Sequence, residues 1–279
     1  MMSSSIEPGT LWVIATPIGN LADISQRAID ILRQVDVVAA EDTRHSRRLF
    51  TACGIDTKLL AYHEHNEQQL APKLLKDLQA GQNIALISDA GTPLISDPGY
   101  RLLNLAAAAG IVCSPIPGAC ALIAALSVSG LPADKFCFSG FLPAKTAARK
   151  KMLQRCQDNS STQIFYESSH RIQFCLNDIC EVLGEDRQLV VCRELTKTFE
   201  TTLRGTAADL LSIVETDSNQ RKGEFVILIG PVEKPAGTES VSTATKELFA
   251  LLCEELPASR AAKLAAKISG ESRQAIFAG

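Results

Sequence analysis

The chain has 279 residues, which is long for one domain and sufficient for two, and its 46% apolar content is enough to fill two cores. The net charge of −3 carries no overall nucleic-acid signature, so any RNA contact must be made by local basic patches. Nine cysteines without a CxxC pair indicate reduced core residues of a cytoplasmic protein and argue against disulfides or a metal site.

Short apolar runs alternate with amphipathic runs over residues 1–128. In chain order they are LWVIA, SQRAIDILRQ, VDVVAAE, TRHSRRLFTAC, KLLAYH, NEQQLAPKLLKDLQ, NIALIS, DPGYRLLNLAAAAG, VCSPI and PGACALIAALSV. This alternation is typical of strand and helix repeats around a largely parallel sheet, and it predicts an N-terminal α/β domain. We expect no signal peptide and no membrane span, because the richest apolar region is interrupted by prolines and a glycine.

The rest of the chain divides into three parts. Over residues 129–232 strands follow one another more closely, which predicts a second α/β domain with a mixed sheet. Residues 233–241 have the composition of a linker. Residues 242–279 read as a small helical unit that resembles a helix-turn-helix, and a bundle that serves packing alone is the alternative. The spacing predicts that one face of the middle helix is formed by Ala261, Leu264, Ala265 and Ile268.

The segment 83–99, NIALISDAGTPLISDPG, joins an apolar strand to a rigid loop. Gly91 and Gly99 allow close approach of a backbone, and two prolines stiffen the loop. Because ligands of open α/β sheets bind beyond the carboxyl ends of strands, the loop is a candidate ligand site for an uncharged, flat or compact molecule. A tight strand-to-helix connection is the alternative interpretation.

Polar clusters follow two more strands of the first domain. The run EDTR follows VDVVAA, and we predict a functional role for Glu41, Asp42 and Arg44, with helix capping and a solvated charged face as the alternatives. The run YHEHN follows KLLA, and it offers His63 or Asn66 for hydrogen bonding or proton handling, unless it only caps a helix. No third ligand stands at a standard spacing, so no metal site is predicted here.

Cations follow two strands of the second domain. Arg171, Arg193 and Lys197 are candidates for binding phosphates through charge-assisted hydrogen bonds. Surface ion pairs with Glu167 and Glu194 are the alternative interpretation.

Seven motifs in order resemble one enzyme family. They are TPIGNLxD, AEDTR, SDAGTPxISDPG, PIPGAxA, FYESxHR, CRELTK and GEFVxxI, spread over residues 11–231. Together they resemble the class III, tetrapyrrole-methylase-like AdoMet-dependent methyltransferases. The C-terminal run LPASRAAKLAAKISGESR is similar to the helical appendix of the branch that methylates the ribose 2'-hydroxyl of a cytidine in small-subunit (16S) rRNA. The resemblance implies two α/β domains with S-adenosyl-L-methionine in the cleft between them, and usually a homodimer.

The resemblance also implies a set of cofactor contacts. Carried over position by position, these are Pro17, Ala90, Gly91, Thr92, Ile95, Cys120, Ala121, Glu167 and Leu195. Porphyrin-modifying members carry a GGD triplet where this chain has Ala-Gly-Thr at 90–92. The departure removes a carboxylate from that part of the pocket.

A base that takes the proton of the ribose hydroxyl is expected near the cofactor. Glu41, Asp42 and His63 are the candidates, and pairing with Arg44 would lower the pKa of Asp42, which favours the other two. We expect the assembled small subunit as substrate, because a near-neutral protein needs shape as well as charge to hold rRNA. The candidate RNA contacts besides the three cations above are Arg44, Arg47, Arg48, Lys145, Arg149, Lys150, Lys151, Arg155 and the C-terminal helices.

The sequence is also compatible with two other functions. A methyltransferase for tetrapyrroles or another small molecule would use the same cofactor fold without needing residues 240–279. A non-catalytic ribosome-binding protein would keep the basic patches and would not be stabilised by S-adenosyl-L-methionine.

Overall fold

The computed structural model describes residues 7–232, 241 and 243–278. The chain forms two compact units, one that ends at Pro231 and one that begins at Val232. The larger unit contains both predicted α/β domains as two five-stranded sheets. All but the last residue of the predicted linker lies outside the described residues.

The N-terminal sheet is entirely parallel, in the order β3-β2-β4-β1-β5. Its strands are β1 (Thr10–Ile14), β2 (Val37–Ala40), β3 (Leu59–Ala61), β4 (Ile84–Ile87) and β5 (Val112–Ile116). The connecting helices are α1 (Gln26–Gln34), α2 (Thr43–Cys53), α3 (Glu67–Gln79) and α4 (Tyr100–Ala108). All four residues of β4 are buried, as expected of a strand covered on both faces, and the predicted strand and helix alternation is confirmed.

The neighbouring strands β1 and β4 form the switch point of this sheet. The chain leaves β1 toward β2 on one side, and it leaves β4 toward β5 on the other side. The two departing loops are joined, because the Thr16 amide donates to the Gly91 carbonyl at 2.8 Å and the Gly91 amide donates back at 3.0 Å. A crevice at the carboxyl ends of the strands is expected where such connections diverge.

The second sheet is mixed, as predicted, in the order β6-β7-β10-β8-β9. Only its first pair is parallel, and the other three pairs are antiparallel. Its strands are β6 (Phe136–Phe141), β7 (Thr162–Ser168), β8 (Gln188–Arg193), β9 (Thr201–Thr206) and β10 (Glu224–Ile229). The helices of this half are α5 (Ala121–Ser129), α6 (Thr146–Gln154), α7 (Ile172–Leu183) and α8 (Ala207–Thr216).

Helix α5 packs on the second sheet, although it precedes the predicted boundary at residues 128 and 129, which stays a prediction. Its buried residues Leu122, Ala125 and Leu126 form one core cluster with residues of β7, β8 and β10. The helix is apolar around most of its circumference, so its sequence alone cannot say which sheet it covers.

The C-terminal unit consists of α9 (Thr243–Glu255), α10 (Ala258–Ser269) and α11 (Arg273–Ala278). The helical appendix is confirmed, but the buried face of α10 differs from the predicted one. Ala261, Ala262 and Ala265 are buried, whereas Leu264 and Ile268 are 40% and 63% exposed. Alanines lie where the helices approach closely, and this places the larger residues outside. In the part of the chain that is described, no helix has both the length and the apolarity to cross a bilayer.

Candidate active site

A cavity of about 470 Å³ lies at the carboxyl edge of the first sheet and is closed on its other side by the second sheet. Both domains contribute to its wall. The lining residues are Ile18, Glu41, Asp89, Ala90, Gly91, Thr92, Ile95, Ser96, Asp97, Cys120, Ala121, Phe141, Tyr166, Glu167, Ser168, Ser169, Cys192, Leu195, Lys197, Gly223, Glu224, Phe225 and Val226. The cavity thus occupies the switch point at which the sheet topology places a ligand.

Most of the cofactor contacts predicted from the sequence line this cavity. The structure places Ala90, Gly91, Thr92, Ile95, Cys120, Ala121, Glu167 and Leu195 in the wall. Pro17 is not among the lining residues, although its neighbour Ile18 is. That these residues bind the cofactor stays a prediction.

The loop between β4 and α4 is held in an unusual backbone conformation. Leu94 and Ser96 have φ angles of 72° and 68°, a region that residues with a Cβ rarely occupy. Gly99 has a φ of 130°, and a Cβ placed there would lie 2.6 Å from Cδ2 of Leu86. Such strain costs roughly 1 to 3 kcal/mol per residue and persists where the surroundings fix the chain. The loop is therefore a shaped wall of the cavity.

Three carboxylates line the same end of the cavity. The Asp89 amide donates to Oε2 of Glu41 at 3.4 Å, and the Asp42 amide donates to Oδ1 of Asp89 at 2.9 Å. Burial raises the pKa of Glu41. Burial, with repulsion from Glu41 and Asp89, raises the pKa of Asp97 to about 6. Sequence reasoning did not single out Asp89 and Asp97, although both stand at the ends of the loop that it chose.

Asp42 and Arg44 do not line the cavity, although they were predicted to act with Glu41. Asp42 caps α2, because its Oδ1 accepts from the Arg44 amide at 2.8 Å. The Arg44 side chain, 90% exposed, places Nη2 2.8 Å from Oδ2 of Asp42. This guanidinium holds the pKa of Asp42 well below its usual range. The geometry favours the capping interpretation for Asp42 over a catalytic one.

His63 lies outside the cavity wall. Asn66 fixes the tautomer of the His63 ring. The Asn66 Oδ1 accepts from the His63 amide at 2.9 Å, and its Nδ2 donates to the Ala61 carbonyl at 3.0 Å, which settles the orientation of the amide. The same Nδ2 lies 3.2 Å from Nε2 of His63. The neutral ring therefore accepts at Nε2 and carries its proton on Nδ1.

Two arginines predicted to contact RNA are buried, which corrects those predictions. The Arg193 Nε donates to the Lys222 carbonyl at 2.7 Å, and its Nη1 donates to the Phe199 carbonyl at 3.0 Å. The Arg149 Nη2 lies 2.5 Å from Oδ2 of Asp178, and both side chains are at most 5% exposed. Both arginines serve the core of the second domain. Helical spacing alone did not reveal that Arg149 points inward.

The other predicted RNA contacts are divided between partly buried cations held in ion pairs and exposed cations. Arg171 lies 2.7 Å from Oε1 of Glu167, and Lys197 lies 2.9 Å from Glu194 and 2.6 Å from Glu224. Lys150 is paired with Asp178 and Glu181. The exposed members of the set are Arg44, Arg47, Arg48, Lys145, Lys151 and Arg155.

The two-sheet fold and the cavity at its switch point define an α/β protein with a cavity of small-molecule size between two domains. Residues 10–211 match the family described as Tetrapyrrole (Corrin/Porphyrin) Methylases, and residues 239–278 match the RsmI C-terminal HTH domain. Since the first match spans most of the chain, the protein belongs to the tetrapyrrole methylase family. The family resemblance seen in the motifs is confirmed.

The chain is similar over nearly its whole length to bacterial proteins named Ribosomal RNA small subunit methyltransferase I. It is 54% identical to the one from Xylella fastidiosa strain Temecula1, over 98% of this chain and 99% of that protein. It is 52% identical to the one from Pseudomonas aeruginosa, over 96% of this chain and 95% of that protein. A uroporphyrin-III-C-methyltransferase from Thermus thermophilus has a similar fold, with a TM-score of 0.57 at 18% identity over 80% of this chain and 94% of that one.

Proposed function

We propose that this chain transfers a methyl group from S-adenosyl-L-methionine to the ribose 2'-hydroxyl of a cytidine in small-subunit (16S) rRNA, in the assembled subunit. The observation that carries the proposal is the 54% identity, over almost the full length of both chains, to a protein named Ribosomal RNA small subunit methyltransferase I. The match of the C-terminal helices to the domain of that same protein type supports it.

The cavity fits S-adenosyl-L-methionine. Its volume of about 470 Å³ lies within the range of small-molecule sites. Glu41, Asp89 and Asp97 give one end a negative potential that suits a sulfonium cation, and Lys197 in the wall is neutralised by two carboxylates. Cys120, also in the wall, makes no side-chain cap for α5, and of the first amides of that helix the Leu122 amide donates to the Tyr166 hydroxyl, which leaves the neighbouring first-turn amides for the amino-acid carboxylate.

The reaction requires the protein to orient the methyl donor and the ribose hydroxyl, and to accept the proton of that hydroxyl. When bound, S-adenosyl-L-methionine supplies an electrophilic methyl group on sulfur. Alignment of the ribose oxygen with that methyl group and the sulfur, which becomes the leaving thioether, is worth roughly 7 to 11 kcal/mol, and the rigid loop and the second sheet would supply it. Glu41 is the base that we favour, because it lines the cavity and its raised pKa makes it a better proton acceptor than Asp42. Its Oε1 or Oε2 takes the hydroxyl proton.

The test compares three acceptors under one labelled methyl donor. We expect radiolabel from S-adenosyl-L-methionine to enter assembled small subunits, with less or none in naked small-subunit rRNA and none in a porphyrinogen. Equal labelling of naked rRNA would refute the assembled subunit as the substrate. Labelling of the porphyrinogen alone would favour a small-molecule methyltransferase, the function of the structurally similar Thermus protein.

A thermal-shift titration separates an enzyme from a non-catalytic ribosome-binding protein. We expect S-adenosyl-L-methionine to raise the melting temperature. At a ligand concentration of about a hundred times Kd, binding stabilises the folded state by ~2.7 kcal/mol. The absence of a shift would favour the binding protein. The proposal also places the protein in the cytoplasm with its ribosomal substrate, as a homodimer that light scattering in solution would detect.

A further inference from the structure

One aromatic side chain at the cavity mouth is left half-exposed. Phe141 lines the cavity and is 52% exposed. Full burial of such a ring would contribute more to stability, since apolar area removed from water is favourable. The surface of this ring is available to a partner that enters the cavity from solvent.

A bulge in the backbone of β6 sets the position of this ring. On β6 the register passes from Phe138, opposite Ile164, to Phe141, opposite Tyr166, so β6 has one extra residue. Gly140 takes up the bulge with a φ of 66°. Because neighbouring strand residues in register share a face of the sheet, the bulge brings Phe141 to the same face as Tyr166. That is the face that lines the cavity.

The ring is also held in place. Phe141 contacts Tyr166 edge to face, with ring centroids 5.7 Å apart and planes at 68°. Tyr166 is fixed in turn by Phe138 at 4.8 Å and by the Leu122 amide, which donates to its hydroxyl at 3.2 Å. A rigid ring with one open side loses little conformational entropy when a flat ligand stacks on it.

We propose, on the basis of the function proposed above, that Phe141 is the stacking platform for the unpaired pyrimidine base whose ribose is methylated. RNA bases that are modified or read singly are taken out of their stack and laid on aromatic side chains. Phe141 and Glu41 line the same cavity, so a base on the ring brings its own ribose toward the proposed proton acceptor. Phe141 is thus a substrate-positioning residue.

The experiment compares Phe141→Ala with Phe141→Trp and with Phe136→Ala. Phe136 is a matched control because it lies on the same strand and is 42% exposed, but it does not line the cavity. Loss of one stacked base raises KM for assembled subunits by roughly 5- to 100-fold in Phe141→Ala. We expect Phe141→Trp to restore most of the wild-type KM and Phe136→Ala to leave it unchanged. The Kd of S-adenosyl-L-methionine, measured by calorimetry, stays at the wild-type value in all three and shows that they are folded.

Two results would overturn the platform while leaving the proposed function intact. One is a Phe141→Ala protein with wild-type KM for subunits. The other is a weaker Kd for S-adenosyl-L-methionine with an unchanged subunit KM, which would assign the ring to the methyl donor. If the wild-type protein fails to label subunits, the proposed function itself fails and the platform falls with it.

Discussion

Asp97→Asn is the substitution with the most informative expected effect. The carboxyl group is partly buried beside Glu41 and Asp89, and its pKa is raised to about 6 from an ordinary 3.8. Between these two values the unfolded chain has released the proton while the folded chain still holds it. The contribution of Asp97 to stability is therefore complete below pH 3.8 and is lost as the pH rises through about 6.

The magnitude follows from the two pKa values. Their difference of about 2, at ~1.4 kcal/mol per pKa unit, sets an upper limit of ~3 kcal/mol on the destabilisation above pH 6. Screening by solvent at this partly exposed site reduces the figure to ~1 to 1.5 kcal/mol. We expect Asp97→Asn to raise the free energy of unfolding by that amount at pH 8, and to change it little at pH 4.

Urea denaturation at the two pH values measures this difference, with Asp56→Asn as the control because Asp56 is exposed and outside the cavity. The same variant should bind S-adenosyl-L-methionine about fivefold more weakly at pH 8, since one solvent-screened charge pair is worth ~1 kcal/mol. Asp97→Asn that is destabilising at pH 8, or that binds the methyl donor as well as wild type, would refute the reasoning.

The remaining predictions concern the base, the buried ion pair and the amide that fixes a histidine. Glu41→Gln should lower kcat by roughly 10²- to 10⁴-fold. It should also remove the rising limb of the pH–rate profile, because that limb reports the raised pKa of the proton acceptor. An unchanged profile would contradict the assignment of Glu41 as the base. Asp178→Ala should cost ~3 to 5 kcal/mol in urea unfolding because it leaves Arg149 buried and unpaired, whereas a loss under 1 kcal/mol would show that the pair is solvated. Asn66→Ala should cost ~1 to 3 kcal/mol and free the His63 ring, which nitrogen NMR of the imidazole detects as a change of tautomer; a wild-type spectrum rules this out.

The pattern of apolar residues was sufficient to predict both sheets. The four buried residues of β4 and the alternation around it indicate a parallel sheet, and the closer spacing of later strands indicates a mixed one. The glycine-rich loop after β4 marked the cavity, because ligand sites gather where the connections of such a sheet diverge. Its distinctive backbone at Leu94 and Ser96 was beyond prediction, since neither residue type favours a positive φ.

What the sequence could not reveal depends on tertiary contacts. Arg193 ends a strand and reads as a surface cation, but carbonyls from distant loops surround its guanidinium. Helix α5 is apolar on most sides, so only the assembled fold shows that it covers the second sheet. Asp97 stands eight residues after Asp89 in sequence, and their mutual repulsion arises only because the loop folds back on itself.

The position of the transferred methyl group tests the central claim most directly. After reaction of the wild-type protein with assembled small subunits and labelled S-adenosyl-L-methionine, the rRNA is digested and its nucleosides are separated by mass spectrometry. We predict that the label is found in 2'-O-methylcytidine. In a separate alkaline hydrolysis of the rRNA, the label should remain in a dinucleotide, because the blocked 2'-hydroxyl prevents cleavage there. Label on a nucleobase, or unlabelled rRNA beside a labelled tetrapyrrole, would contradict the account.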